Sequence, residues 1–545
     1  MRFATILTVS LAFLVAFPAL GSEDDQQRVD RIFAAYDKAN SPGCALGVIR
    51  DGSFIYRKAY GTASLELGVP LTPQSVFYMG SVSKQFTAAS IVLAAEQGFL
   101  SLDDDVHKYI PELPDYGHSI TLRQMLHHTS GFRNYSTLLY LSGQSESDIR
   151  SKRDIIDLVE RQKGLNNNPG DEFIYSDTNY FMLAEVVQRA TKKSLAEFAA
   201  ENIFKPLGMV HTRFYDDHSL VLSDRVAAYD PAGTDGRFLV DWSTKFDIVG
   251  AGGLMSSVDD LLLWDRNFYE NRLGKGTLLK ELQTRGVLGN GTKIRYALGL
   301  FMGTYRGLPI VEHGGALFGY RTEILRFPQQ RFTVLCLCNL STAGPRNLTQ
   351  KVAAVYLEKN LQPEPASLSP SVIARFPDPS VFAGNYIDSP GHLAATFSVA
   401  RGNLVAWGLS LTRLGPNRFT SSGDDIINFD NSGGHMKVTI DSDDEEIYAA
   451  SRIEEFHLND ADLAAFAGVY RSTELDAAYN LAINNGNLML RIGQNPAGKL
   501  APIAKDMFGS DELGTLIFHR DASHRVSALS VFSIDARDVS FTKSD

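Results

Sequence analysis

The run Gly80-Ser81-Val82-Ser83-Lys84-Gln85-Phe86-Thr87-Ala88-Ala89-Ser90-Ile91-Val92-Leu93-Ala94-Ala95 decides the fold. Phe86, Ala89, Ile91, Val92, Ala95 and Leu100 put apolar side chains on nearly every side of a helix, so the segment reads as a buried helix that Gly98 ends. Such a helix has no structural need for a lysine, yet Lys84 follows Ser81 by three positions and shares its face. A serine hydroxyl is a weak nucleophile and needs a base beside it. A lysine kept dry loses part of its preference for charge and can fill that role. The head of the helix adds free N–H groups and a positive dipole end near the reacting oxygen. Ser-x-x-Lys is a catalytic motif whose letters also recur by chance, and its place at the head of this helix gives it weight.

Upstream, residues 46–60 read as two strands joined by a turn at Asp51-Gly52. Downstream come helical stretches at 121–128, 155–162, 180–190, 195–202 and 257–267, then strands at 310–312, 319–327 and 332–340. Strands, many helices and strands again predict a sheet covered by helices, its first and last strands meeting from both chain ends.

Residues 361–379 hold five prolines and little periodicity, which suits a linker. Beyond it the chain turns to short alternating strands, and a repeat emerges. Phe382-Ala383-Gly384-x-Tyr386 returns as Phe466-Ala467-Gly468-x-Tyr470, and Gly402-Asn403-Leu404 as Gly486-Asn487-Leu488, both at one offset. The tail, 380–456 and 457–545, is therefore expected to be two copies of a small antiparallel β-barrel. At the other end, residues 1–21 have the marks of a signal peptide: Arg2, an uncharged apolar run, and Ala19-Leu20-Gly21 as cleavage site. The run is too short to span a bilayer, and no later segment reaches that length.

The chain carries 52 Lys and Arg against 63 Asp and Glu, a net charge of −11, and no basic stretch offsets that field, which excludes a nucleic-acid partner. Its three cysteines, Cys44, Cys336 and Cys338, lie in strand-like apolar runs and read as buried thiols, with a single bridge from Cys44 to either of the others left open.

Two further elements carry chemistry. Tyr175-Ser176-Asp177 offers a phenol that a nearby charged lysine would make more acidic and fit to relay protons. His313-Gly314-Gly315 follows a strand, and its paired glycines let backbone approach a substrate closely. In this order the three elements resemble the serine β-lactamases of class C, the penicillin-recognising peptidases, related esterases and the D-aminopeptidases. Leu126-His127-His128-Thr129-Ser130-Gly131, Pro206-Leu207-Gly208-Met209 and Ala251-Gly252-Gly253-Leu254 are similar to stretches of that family, and the likeness spans roughly Phe33 to Tyr356.

The resemblance implies an α/β (α+β) catalytic domain over 22–360, an antiparallel sheet flanked by helices with an all-helical subdomain. It implies Ser81 as nucleophile, Lys84 and Tyr175 as the proton-handling pair, His313 lining the pocket where lysine is commoner, and the N–H groups of Ser81 and Ala316, beside Gly315, as oxyanion hole. A covalent acyl-enzyme would follow. Asp177 departs from the asparagine of β-lactamases. An ionised carboxylate cannot donate to a substrate carbonyl and would favour a charged Lys84, moving the proton-taking task toward Tyr175. Asp177 suits a substrate with a free ammonium group, or an ester that asks less of that position, and the catalytic domain followed by two barrels resembles the D-aminopeptidase layout. The leading expectation is an exported hydrolase of amide bonds in small peptides. A carboxylesterase using the same residues and a penicillin-binding sensor without turnover are the rivals. The segment 133–168 is expected to cover the pocket. No zinc, phosphate-loop or nucleophile-elbow motif occurs, so neither metal nor cofactor is implied.

Overall fold

The computed structural model describes residues 23–144, 151–233, 236–241, 247–363, 368–388, 391–421, 425–442, 445–493, 495–510 and 512–544. The expected signal peptide lies outside the described residues. Among them, no helix is long and apolar enough to cross a membrane.

Asp51 and Gly52 both take positive φ, +50° and +73°, the tight-turn geometry that folds Cys44–Arg50 back onto Ser53–Tyr60. That hairpin joins the last strand of the domain, Phe332–Cys338, in antiparallel register, so both chain ends meet in one sheet. The six strands run in the order Phe301–Tyr305, Leu308–Leu317, Tyr320–Phe327, Phe332–Cys338, Cys44–Arg50, Ser53–Tyr60. Leu308–Leu317 is longer than the expected strand at 310–312 and carries His313-Gly314-Gly315 within it. The helices Glu23–Phe33 and Pro345–Tyr356 cover one face of the sheet, where Val29, Phe33, Val352 and Ala353 close a core with Leu46 and Val334.

The other face packs against the helical region built on Ser83–Glu96, whose residues from Ser83 to Ala94 are all buried. Ser81 itself lies in a 3-10 turn, Gly80–Val82, just ahead of that helix, and Lys84 lies in the helix's first turn.

Cys44 stands opposite Cys338 in the register, and the two form a disulfide. The expectation of three free thiols is corrected for this pair. Cys336 faces Leu46 across the ladder and remains a buried thiol, because only one of the two candidates is level with Cys44.

The tail holds a closed eight-stranded barrel from Gly468 to Ser544 and, before it, a nine-stranded sheet. The two end strands of that sheet, Leu409–Ser410 and Thr412–Arg413, are successive in the chain. The repeat has a shared physical basis. Tyr386 donates its hydroxyl to the carbonyl of Phe382 at 2.9 Å, and Tyr470 does the same to Phe466 at 2.9 Å. Gly384 and Gly468 take nearly equal positive φ, +139° and +144°.

The copies differ in attachment. The nine-stranded unit has its own apolar core around Phe397, Phe419 and Phe429. The core of the closed barrel, with Tyr479, Leu490 and Phe541, is continuous with that of the catalytic domain.

Candidate active site

Gly80 takes φ +53°, and a Cβ there would lie 2.7 Å from the Ala316 nitrogen. A Cβ on Gly315 would fall 2.0 Å from the Met79 carbonyl oxygen. Two glycines thus let Leu308–Leu317 press against the turn that carries Ser81, and Thr322 Oγ1 ties that contact by donating to Met79 O at 2.8 Å. That contact brings the Ala316 nitrogen close to Gly80, the residue before Ser81.

Ser81 is partly exposed, whereas Lys84 is wholly buried. Lys84 Nζ reaches Ser81 Oγ at 2.9 Å, Asp177 Oδ1 at 2.7 Å and the Ala251 carbonyl at 2.9 Å. The ammonium also lies 4.8 Å above the Tyr175 ring. Burial pulls the Lys84 pKa down against the opposing charge of Asp177.

The Tyr175 phenol lies near enough to Ser81 for that hydroxyl to favour the phenolate. Burial and the Asp177 charge push its pKa well above that of a free tyrosine, and Ser81 only tempers this. That reverses an expectation. The lysine does not make this phenol more acidic, because desolvation of a phenolate and a carboxylate beside it outweigh the cation.

His313 is buried, with Nδ1 2.6 Å from the Gly314 carbonyl oxygen and Nε2 3.2 Å from the Tyr296 hydroxyl. Nδ1 must donate to that carbonyl, so Nε2 accepts from Tyr296. Burial and the Lys84 charge lower its pKa to about 3, so the ring is neutral and both nitrogens are engaged by protein.

Several contributors escaped sequence reasoning. Asn134 accepts the Asp177 N–H on Oδ1 at 3.3 Å and donates from Nδ2 to Asp535 Oδ2 at 2.8 Å, which links the catalytic domain to the closed barrel. Asp535 also accepts from Thr137 Oγ1 at 2.8 Å. Its pKa is raised by burial, with the Asp177 charge acting in the same direction. Next to Asn134, Arg133 forms a buried ion pair with Glu474 at 2.6 Å, also across the domain boundary. The helix Tyr135–Leu141, within the segment expected to cover the pocket, is therefore clamped by the barrel at its start, and again at its end where Tyr479 donates to Leu141 O at 2.9 Å.

A hydroxyl beside a buried amine and a phenol, just ahead of a buried helix, defines a serine hydrolase. The family model described as Beta-lactamase matches residues 29–357, and the chain belongs to that family, within the serine β-lactamase and penicillin-binding-protein superfamily. A D-aminopeptidase of Brucella anthropi is 25% identical over 525 residues, covering 92% of this chain and 95% of its own. A D-aminopeptidase of Gluconobacter oxydans is 26% identical over 450 residues, covering 80% and 81%. Among solved structures, the octameric penicillin-binding protein homologue from Pyrococcus abyssi has a TM-score of 0.55 at 21% identity, over 86% of this chain and 98% of that one. The D-amino acid amidase from Ochrobactrum anthropi SV3 has a TM-score of 0.53 at 19% identity, over 62% and 99%. These likenesses carry the fold.

Proposed function

We propose that the chain cleaves amide bonds of small substrates bearing a free ammonium group beside the scissile carbonyl, as an aminopeptidase of the D-aminopeptidase type. The observation that carries this reading is the pair Asp177 and Asp535, from two domains, bridged by Asn134 at the site. Asp177 is one-quarter exposed while it holds Lys84. Asp535 feels the Asp177 charge, and a cation between the two would relieve that repulsion. The D-aminopeptidase relatives, alike over nearly the whole chain including the barrels, support the same reading.

In this reading Ser81 Oγ attacks the carbonyl carbon as its proton passes to Lys84 Nζ. The tetrahedral oxyanion accepts from the Ser81 and Ala316 N–H groups at the edge of Gly315, where losing one donor typically costs about 3 kcal/mol of transition-state stabilisation. The C–N bond breaks as the amine nitrogen takes that proton through the Tyr175 phenol, which its raised pKa keeps protonated. Water then attacks the acyl-enzyme, Lys84 again takes the proton, and Ser81 is restored. His313, neutral with both nitrogens engaged, shapes the pocket wall. The Cys44–Cys338 bond and the apolar run at 1–21 support an exported, oxidising setting.

The test compares D-alanine p-nitroanilide, its N-acetyl derivative and p-nitrophenyl butyrate. Acetylation is expected to remove about 100-fold or more of kcat/KM, as loss of a charged partner to buried carboxylates should. Turnover of the butyrate ester with none of the free-amine anilide would transfer the protein to the carboxylesterases.

A further inference from the structure

His128 is buried beside Tyr175; its ring also packs on Tyr296 and Tyr180, with centroids 4.7 and 5.0 Å away, and its Nδ1 also faces Asn179 Nδ2 at 3.3 Å. Its carbonyl oxygen accepts the Ile174 N–H at 2.9 Å, and its Nδ1 accepts the Ser176 N–H at 3.1 Å. Between these two anchored residues the Tyr175 ring lies over the imidazole, centroids 4.2 Å apart and planes tilted by 31°. One residue thus grips the chain before the phenol, the chain after it, and the face of the ring itself.

The arrangement is held at a cost. His128 adopts φ +57°, a left-handed conformation that is strained for a non-glycine residue. Because Nδ1 accepts, the neutral ring carries its proton on Nε2, and that atom meets no hydrogen-bond partner among the described residues. An unsatisfied buried N–H loses its bond to water with nothing in return. A leucine in the same space would avoid the second penalty but would have neither an acceptor for Ser176 nor a flat face for Tyr175. Burial, with the charge of Lys84 next, keeps the ring neutral, so the acceptor stays available.

We propose that His128 is a positioning residue for the reaction: it holds the Tyr175 phenol within hydrogen-bonding reach of Ser81 Oγ and does not touch substrate. This rests on the Ser81 site reading given above. A double-mutant cycle tests it, using kcat and KM for p-nitrophenyl butyrate together with the rate at which a fluorophosphonate labels Ser81. His128→Asn tolerates the left-handed backbone and removes the ring.

Alone, His128→Asn is expected to lower kcat by about 30-fold, with KM within about threefold, as loosening a proton donor by a fraction of an ångström should. Tyr175→Phe should lose about 100-fold or more. The double variant should be no slower than Tyr175→Phe, since a grip on an absent hydroxyl is worth nothing. Losses that multiply in the double variant, or wild-type kcat in His128→Asn, overturn the proposal. Should the asparagine variant not fold, His128→Gly, to which φ +57° is free, is read in the same cycle. Wild-type protein that takes no label at Ser81 would sink the site reading itself. Normal labelling with multiplying losses would sink only the role of His128.

Discussion

Asp177→Asn isolates a single charge. The carboxylate lies 2.7 Å from Lys84 Nζ at its nearer oxygen. Two unit charges about 4 Å apart attract by about 4 kcal/mol at an effective dielectric of about 20. Asp177 is one-quarter exposed, and asparagine keeps an acceptor for the lysine, so about half of that attraction should go with the charge. A loss of about 2 kcal/mol lowers the lysine's pKa by about 1.5. Burial already pulls Lys84 downward, and Asp177 is the main influence opposing it. The acid limb of kcat/KM against pH, read with p-nitrophenyl butyrate so that no substrate amine titrates, should therefore move to lower pH by about 1.5. With D-alanine p-nitroanilide the same variant should raise KM by about tenfold, because one of two carboxylates facing the ammonium is gone. The limb must move while the ester's KM does not. A limb that stays in place, or moves to higher pH, would refute both Lys84 as the base and Asp177 as the group restraining it.

Ser81→Ala should abolish turnover and fluorophosphonate labelling and leave the melting temperature nearly unchanged, as the hydroxyl is partly exposed; an equal loss of folding would make Ser81 structural. Folding stability should fall as pH drops below about 6.5, before carboxylates titrate. His127, His128 and His313 have folded pKa values lowered by burial, to about 4 for His127 and about 3 for His313, so the unfolded chain binds more protons in that window. Fully engaged, three such groups amount to about 4 kcal/mol per pH unit between about pH 6 and pH 4, and urea unfolding free energies that stay level from pH 7 to pH 5 would contradict this. Glu474→Gln leaves Arg133 charged and buried and should cost about 3–5 kcal/mol, seen as a lower urea midpoint, together with lost amidase turnover; an unchanged midpoint would mean that the pair is idle.

The parts of this molecule that were legible in the sequence are those fixed by local chemistry. The buried helix Ser83–Glu96 declares itself through apolar residues on every side, and Lys84 is conspicuous because nothing about packing asks for it. The hairpin turn at Asp51-Gly52 and the repeated tyrosines of the tail are short-range devices of the same kind, with Tyr386 and Tyr470 each bonding a carbonyl four residues back. What stayed hidden depends on register or on distant segments. Cys338 rather than Cys336 meets Cys44 because of the ladder pairing, which spacing does not encode. The direction of the Tyr175 shift follows from how dry its surroundings are, and dryness belongs to the assembled fold. Asn134, Asp535 and Glu474 carry no local signal, since each matters through a partner hundreds of residues away.

Those distant contacts bear on why the tail has two copies of one unit. If the barrels served only as ballast or spacing, the two would be interchangeable, and the repeat's register argues otherwise. Glu474 lies between the two matched stretches of the second copy, Phe466–Tyr470 and Gly486–Leu488. The corresponding position between Phe382–Tyr386 and Gly402–Leu404 in the first copy is Pro390, whose side chain has neither charge nor acceptor to offer Arg133. A proline there also lacks the N–H that a further hydrogen bond would need. Only the second copy can make the buried pair that holds Arg133, and Arg133 is followed directly by Asn134, whose side chain spans Asp177 and Asp535. The apolar cores agree with this, one continuous with the catalytic domain and the other separate. The closed barrel is therefore part of the site's frame, and exchanging the two copies in the chain would leave the fold of each intact while taking Asp535 away from Asn134 and Asp177, the pair on which substrate selection is proposed to rest.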